Sequence, residues 1–275
     1  MIVFNYILFV GGGNMTRAIV SGLISDGYSP TRLLIVDRHA DKREFFENTY
    51  QVKTADQLTA ALLDVDMIVL SVKPQGARSV CAELKPLLHS KIPLILSVMA
   101  GLTLDTLQSW LGDALPIVRA MPNTPSLIKA GATGLVSNAL VSAVQKEQVQ
   151  ALMSVMGIVA WLEQEAQLEA ITALSGSGPA YFFYFMEAMQ AVAIKLGLPE
   201  SIAQQFALQT AYGAAKLAMQ SDESVATLRS RVTSKGGTTA AALAVFEQQG
   251  LPAMVESAMR AAQQRSRALS QEFGV

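Results

Sequence analysis

Ile7-Leu8-Phe9-Val10-Gly11-Gly12-Gly13-Asn14-Met15-Thr16 is the stretch that decides the fold of this chain. Four apolar residues bounded by glycine read as a short, fully buried strand, and a helical pattern follows at once from Asn14 to Ser25. A strand, a glycine turn and a helix in direct succession are the context in which a dinucleotide fingerprint has physical meaning. Gly11 makes the tight turn. Gly13 has no Cβ to keep a pyrophosphate away from the backbone N–H groups of Asn14 and Met15 at the helix start. Thr16 occupies the third position, where glycine or alanine is usual, which predicts a slightly wider strand-to-helix spacing.

The alternation continues through the first half, with Leu33 to Val36 before Asp41 to Asn48, then Met67 to Val72, Pro93 to Val98 and Leu115 to Met121. Short β-branched runs between amphipathic segments imply βαβ units and a parallel sheet buried on both faces. Near Trp161 the character changes, and from Ala166 onward helical periodicity is almost continuous. Phe182, Phe185, Met186, Met189, Ala193 and Leu196 fall on one stripe, which reads as core or subunit interface. Gly197 and Gly250 read as helix stops, with Pro199 and Pro252 opening the next helices. The expected fold class is α/β, with a Rossmann-like dinucleotide-binding domain over 1–163 and an all-helical domain over 164–275.

Composition narrows the function. A chain of 275 residues, 51% hydrophobic with net charge −1, buries a sizeable core, and its scattered Lys and Arg form no stripe for nucleic acid. No apolar run is long enough for a spanning helix, and Met1 to Asn5 lacks the positive start of a secretory signal. The expectation is therefore a cytoplasmic protein without membrane or nucleic-acid partners. Cys81 is the single cysteine and His39 and His89 the two histidines, so no metal site is expected. Cys81 lies at helical spacing and reads as a packed thiol.

The end of the second strand, Val36-Asp37-Arg38-His39, precedes Lys42 and Arg43. An acidic residue there holds the ribose 2′-OH of NAD, whereas a neighbouring arginine holds the 2′-phosphate of NADP. Asp37 favours NAD; Arg38 with Lys42 and Arg43 favours NADP. NADPH is the expected cofactor, with NADH as the alternative. Ser71-Val72-Lys73-Pro74-Gln75 and Arg119 to Pro125 end two further strands and face the same crevice. In the second loop Met121, Pro122 and Asn123 are candidate nicotinamide contacts, Asn123 through an amide that suits the carboxamide.

Two glycine-rich segments lie on the other side of the chemistry. Arg231-Val232-Thr233-Ser234-Lys235-Gly236-Gly237-Thr238-Thr239 leads into the helix-forming run Ala240 to Phe246, a seat for a small anion. Leu174-Ser175-Gly176-Ser177-Gly178-Pro179 places small residues before a proline that starts a long helix. No strong acid, base or metal accompanies them. Hydride transfer to a C=N bond needs little besides position, because a reduced nicotinamide supplies the hydride and a hydroxyl or water the proton.

On these segments the chain resembles the Δ1-pyrroline-5-carboxylate reductases, from about residue 6 to about residue 272. The resemblance implies NAD(P)H-dependent reduction of 1-pyrroline-5-carboxylate to L-proline, the last step of proline biosynthesis. By position, Gly236, Gly237, Thr238 and Thr239 would hold the substrate, its carboxylate on the N–H groups of Gly237, Thr238 and Thr239, with the Thr239 hydroxyl near the ring nitrogen as the catalytic group. Ser175, Gly176, Ser177 and Gly178 would form the neighbouring wall, and Gly11, Gly13, Asn14, Met15, Arg38, Ser71, Val72, Lys73, Pro74, Met121, Pro122 and Asn123 would hold the cofactor. The resemblance also implies a homodimer of interlocked helices, often five dimers in a decameric ring. Lys235 stands where the family usually has proline. Two other readings compete: a β-hydroxyacid dehydrogenase, with Lys195 as the nearest candidate general acid, and a redox sensor that binds NADP without turnover.

Overall fold

A computed structural model describes residues 4–62, 64–88 and 92–274. His89 and Met1 to Val3 lie outside the described residues. The chain divides into two compact units, one made of residues up to Ser177 together with those from Ala262 onward, the other Gly178–Ala261.

In the first unit eight strands form one sheet: β1 (Ile7–Val10), β2 (Leu33–Val36), β3 (Lys53–Ala55), β4 (Met67–Leu70), β5 (Leu94–Ser97), β6 (Ile117–Met121), β7 (Gly131–Ser137) and β8 (Gly157–Trp161). Their order is β3-β2-β1-β4-β5-β6-β7-β8. Helices α1 (Asn14–Ser25), α2 (Ala40–Tyr50), α3 (Pro74–Leu84), α4 (Leu104–Leu111) and α5 (Ala143–Ser154) connect them. The residues alternate between two cores. Ile7 and Phe9 pack with Ile19 and Leu23 of α1, while Leu8 and Val10 pack with Ala77 and Cys81 of α3. Every residue of β1, β4 and β5 is buried, as a parallel sheet covered on both faces requires. Cys81 belongs to this core, and burial pushes its thiol up to about 12.

The expectation of a wholly parallel sheet needs one correction. β1 to β6 are parallel, but β7 runs antiparallel to β6, and β8 parallel to β7. Only the turn around Thr124–Ile128 joins β6 to β7, and a parallel crossover needs a dozen or more residues. At the β7–β8 register Gly131 faces Gly157, whose φ is +140°. A Cβ on Gly157 would run into the Gly131 carbonyl oxygen, and one on Gly131 would run into Ser126 and the Met156 carbonyl, so each position requires glycine.

After β8 comes α6 (Gln167–Ile171), continued by a π-helical turn over Thr172–Gly176. The C-terminal end of the chain belongs to this unit too. Arg267 pairs with Glu169, and Leu269 and Phe273 lie against Gly101. Arg119 of β6 pairs with Glu165, whose carboxylate also accepts the Leu104 N–H that starts α4, at 2.7 Å.

The second unit holds α7 (Gly178–Lys195), α8 (Glu200–Gln220), α9 (Val225–Arg231), α10 (Thr238–Gln248) and the first turns of α11 (Leu251–Phe273). Gly197 and Gly250 have φ of +97° and +72°, the left-handed stops read from the sequence. Inside this unit only Gly178, Ala203 and Ala207 are buried among the described residues. The apolar face of α7 is broader than one stripe: Phe182, Phe183, Tyr184 and Phe185 are all exposed, at 67%, 63%, 75% and 48%.

Candidate functional site

The strand order reverses between β1 and β4, and the crevice at the strand C-termini of such a switch point is where an α/β sheet binds ligands. Gly11 leaves β1 at φ +105°, its N–H donating to the Val36 carbonyl at 2.8 Å. A Cβ at Gly11 would sit 2.5 Å from the Ser71 carbonyl oxygen, so glycine is required there for closure between the two strand ends. At Gly13 the nearest atom to such a Cβ is the Ser71 oxygen at 3.9 Å, and the space above the helix start is open. Thr16 fits without a gap: it is fully buried and its hydroxyl donates to the Gly11 carbonyl at 2.5 Å. The hydroxyl therefore reinforces the turn that the third glycine usually permits.

Gly12 has a role that the sequence reading missed. Its N–H donates to Asp37 Oδ2 at 2.8 Å, and a Cβ there would lie 3.0 Å from the Phe46 ring. Asp37 Oδ2 also takes the Lys42 ammonium at 3.1 Å, while Oδ1 takes the His39 N–H at 2.9 Å and the His39 ring Nδ1 at 2.8 Å. Burial alone would raise the Asp37 pKa, but the bonds from His39, Gly12 and Lys42 outweigh it and hold it at about 2. Arg43 donates to the Asp37 carbonyl oxygen at 2.8 Å. Of the three cations read from this segment, two are thus tied to Asp37, and Arg38 stands exposed.

Ser71 follows β4 with its N–H on the Val10 carbonyl, 2.9 Å. Val72 is half-buried, Lys73 is the exposed N-cap residue of α3, and Pro74 opens that helix. At the end of β6, Met121 and Asn123 are half-buried and Pro122 is buried. The Asn123 amide is already engaged at both ends. Its Oδ1 accepts the Ala132 N–H at 2.9 Å and its Nδ2 donates to the Ser175 carbonyl at 3.0 Å. The Ser175 hydroxyl turns back to the Ile171 carbonyl at 3.0 Å, and a Cβ on Gly176 would meet the Met121 methyl at 2.9 Å. Met121, Asn123, Ser175 and Gly176 thus form one packed group, and Ser177 closes the π turn by donating to the Thr172 carbonyl at 2.8 Å.

In the second unit Gly236 has φ +70° and Gly237 is the N-cap of α10. The Gly237 N–H donates to the Ser234 carbonyl at 3.0 Å, so it closes the turn and is spent there. The N–H groups of Thr238 and Thr239, in the first turn of α10, have no intrahelical acceptor. Thr239 is half-buried, while Lys235 and Thr238 are exposed. Gly178 opens α7 and is buried.

Residues 165–269 match the family model described as pyrroline-5-carboxylate reductase dimerisation, and residues 6–101 match one described as NADP oxidoreductase, coenzyme F420-dependent. Over 98% of its length the chain is 45% identical to a pyrroline-5-carboxylate reductase of Pseudomonas aeruginosa, covering 98% of that protein. It belongs to the pyrroline-5-carboxylate reductase family. A solved pyrroline-5-carboxylate reductase of Coxiella burnetii superposes with a TM-score of 0.92 at 45% identity, covering 97% of this chain and 98% of that one. A Plasmodium falciparum pyrroline carboxylate reductase, solved with NADP bound, superposes at 0.85 with 29% identity over 98% of this chain and 99% of the other. Among the described residues no helix is long and apolar enough to cross a membrane. No group of three or more His, Cys, Asp or Glu side chains could hold a metal there either.

Proposed function

We propose that this protein reduces the C=N bond of 1-pyrroline-5-carboxylate to L-proline with NADPH, in the cytoplasm, as a homodimer that assembles into a decamer. The observation that carries the reading is that both glycine-rich ends of the chemistry are intact in one family member. Gly11 makes the tight turn and Gly13 leaves open space at the start of α1, and the α10 start presents free N–H groups beside Thr239.

The open space at Gly13 and the unpaired N–H groups of Asn14 and Met15 fit a pyrophosphate. When bound, the reduced nicotinamide supplies the hydride. Ser71, Val72, Lys73 and Pro74 line the dinucleotide through backbone, and Met121, Pro122 and Asn123 border the nicotinamide. Arg38, which is exposed, is the cation for a 2′-phosphate, since Lys42 and Arg43 are held by Asp37. The Asp37 carboxylate faces Gly12, His39 and Lys42, which removes the competing ribose reader.

On the substrate side, the Thr238 and Thr239 N–H groups and the helix dipole at the start of α10 bind the carboxylate, with Gly236 and Gly237 shaping the turn. The Thr239 hydroxyl orients the ring nitrogen and relays a proton from water to it. Ser175, Gly176, Ser177 and Gly178 are the other substrate-binding residues in this reading. In this reading the dinucleotide half ends at 163 and the substrate half begins at 164, next to the start of the dimerisation match at 165.

The test is oxidation of reduced nicotinamide on adding the cyclic imine, run with NADPH and NADH for wild type and Arg38→Ala. Steady turnover with kcat/KM favouring NADPH is expected. Arg38→Ala should erase most of that preference, because a 2′-phosphate paired with arginine gains about 1 to 3 kcal/mol. No turnover with either cofactor overturns the activity, and a wild type that favours NADH overturns the role of Arg38.

A further inference from the structure

Pro179 leaves a defect in the chain. In a continuous helix the Ser175 carbonyl would accept from the N–H four residues on, and that residue is a proline, which has none. The π-helical turn over Thr172–Gly176 does not repair this, because its closing bond runs from the Ser177 N–H to the Thr172 carbonyl at 2.8 Å. A half-buried carbonyl without a partner is costly. The donor comes from far away in sequence: Asn123 Nδ2, 3.0 Å from the Ser175 oxygen.

A primary amide does this here. Its other end must accept the Ala132 N–H at 2.9 Å where β7 begins, so one side chain has to accept and donate at once. The same turn touches the same loop a second time, where Gly176 leaves room for the Met121 methyl. We propose that Asn123 is a positioning residue that sets the Ser175–Gly176 turn against the Met121 loop, and so fixes the substrate surface relative to the hydride donor. The inference rests on the preceding reading of those two segments, and it gives the Asn123 amide a task other than holding the carboxamide.

The two tasks separate in kinetics. Asn123→Asp still accepts from Ala132 but sets an oxygen against the Ser175 carbonyl. Gly176→Ala pushes on the same turn from the Met121 side. For each variant and for the pair, kcat and KM for the imine are measured along with the NADPH Kd by fluorescence titration, and melting controls for folding. Asn123→Asp should lose tenfold or more in kcat/KM for the imine, and Gly176→Ala, to whose methyl the Met121 tip can partly yield, should show a smaller loss in the same parameter, while NADPH Kd stays within about threefold for both. The double variant should lose little more than the worse single one, because both unseat one turn. Loss of NADPH affinity in parallel with activity in Asn123→Asp would make the residue a carboxamide holder, and near-wild-type kinetics would make it a plain strut; either overturns the proposal. If Asn123→Asp fails to fold, Gly176→Ala carries the same test at that smaller amplitude, since its methyl crowds chiefly the flexible end of Met121 and leaves the fold intact. Wild type that turns over no imine refutes the earlier reading instead.

Discussion

Asp37 shows how one buried carboxylate can serve the loop beside it. Four hydrogen bonds from His39, Gly12 and Lys42 hold it at a pKa of about 2 against the ordinary 3.8. Because the folded value is the lower one, the stabilisation is fully present above about pH 4 and is lost as pH falls through about 2. We expect this single group to contribute about 1 to 2 kcal/mol at neutral pH, a figure reduced for solvent screening. Denaturant titrations at stepped acid pH should show wild type losing more stability between pH 4 and 2 than Asp37→Asn does. Equal slopes would place the acid sensitivity elsewhere. At Thr239 the expected loss is kinetic. Thr239→Ala removes one hydrogen bond and leaves the N–H groups of α10 in place, so kcat/KM should fall about ten- to a hundredfold, with Thr239→Val, nearly isosteric, matching it. Activity near wild type in both would leave the hydroxyl without a part in the reaction.

Among the elements, what the sequence disclosed depended on whether local chemistry alone decided the outcome. β1, α1, β2 and β4 were legible because short apolar runs and glycine punctuation coincide with their ends. Gly197 and Gly250 were legible for the same reason. β3, β7 and β8 were not. β3 is three residues with a polar start, and the β7–β8 pairing depends on Gly131 meeting Gly157 across the sheet, a contact between distant positions. The Asn123 bond to Ser175 was hidden likewise, although Pro179 carried a usable signal: the carbonyl four residues before a proline must find its donor elsewhere. The β7–β8 reading has its own test. Gly157→Ala combines a φ of +140° with a clash against backbone, which cannot move aside as a side-chain tip can. It should cost about 3 kcal/mol or more, seen as a lowered melting midpoint or loss of soluble protein. A variant that melts within a degree or two of wild type would mean that the edge of the sheet adapts freely.

At the scale of the molecule, the second unit buries too little to stand alone. Three small buried residues, with Phe182, Phe183, Tyr184 and Phe206 exposed at 67%, 63%, 75% and 65%, describe half of an interface. Light scattering should find no active monomer at micromolar concentration, and refolding should speed up as the protein is made more concentrated; a stable, active single chain would contradict both. The stripe expected on α7 was right in kind and too narrow in extent, because a helix apolar on all sides leaves no period to read. The first unit carries a different debt. Its last pieces, Arg267 against Glu169 and Leu269 with Phe273 against Gly101, are separated from the rest by the whole of Gly178–Ala261. On a ribosome the nucleotide-binding sheet therefore emerges first yet stays open beside Gly101 until the helices after it have been translated, so in the growing chain the half made earliest is among the last to be finished.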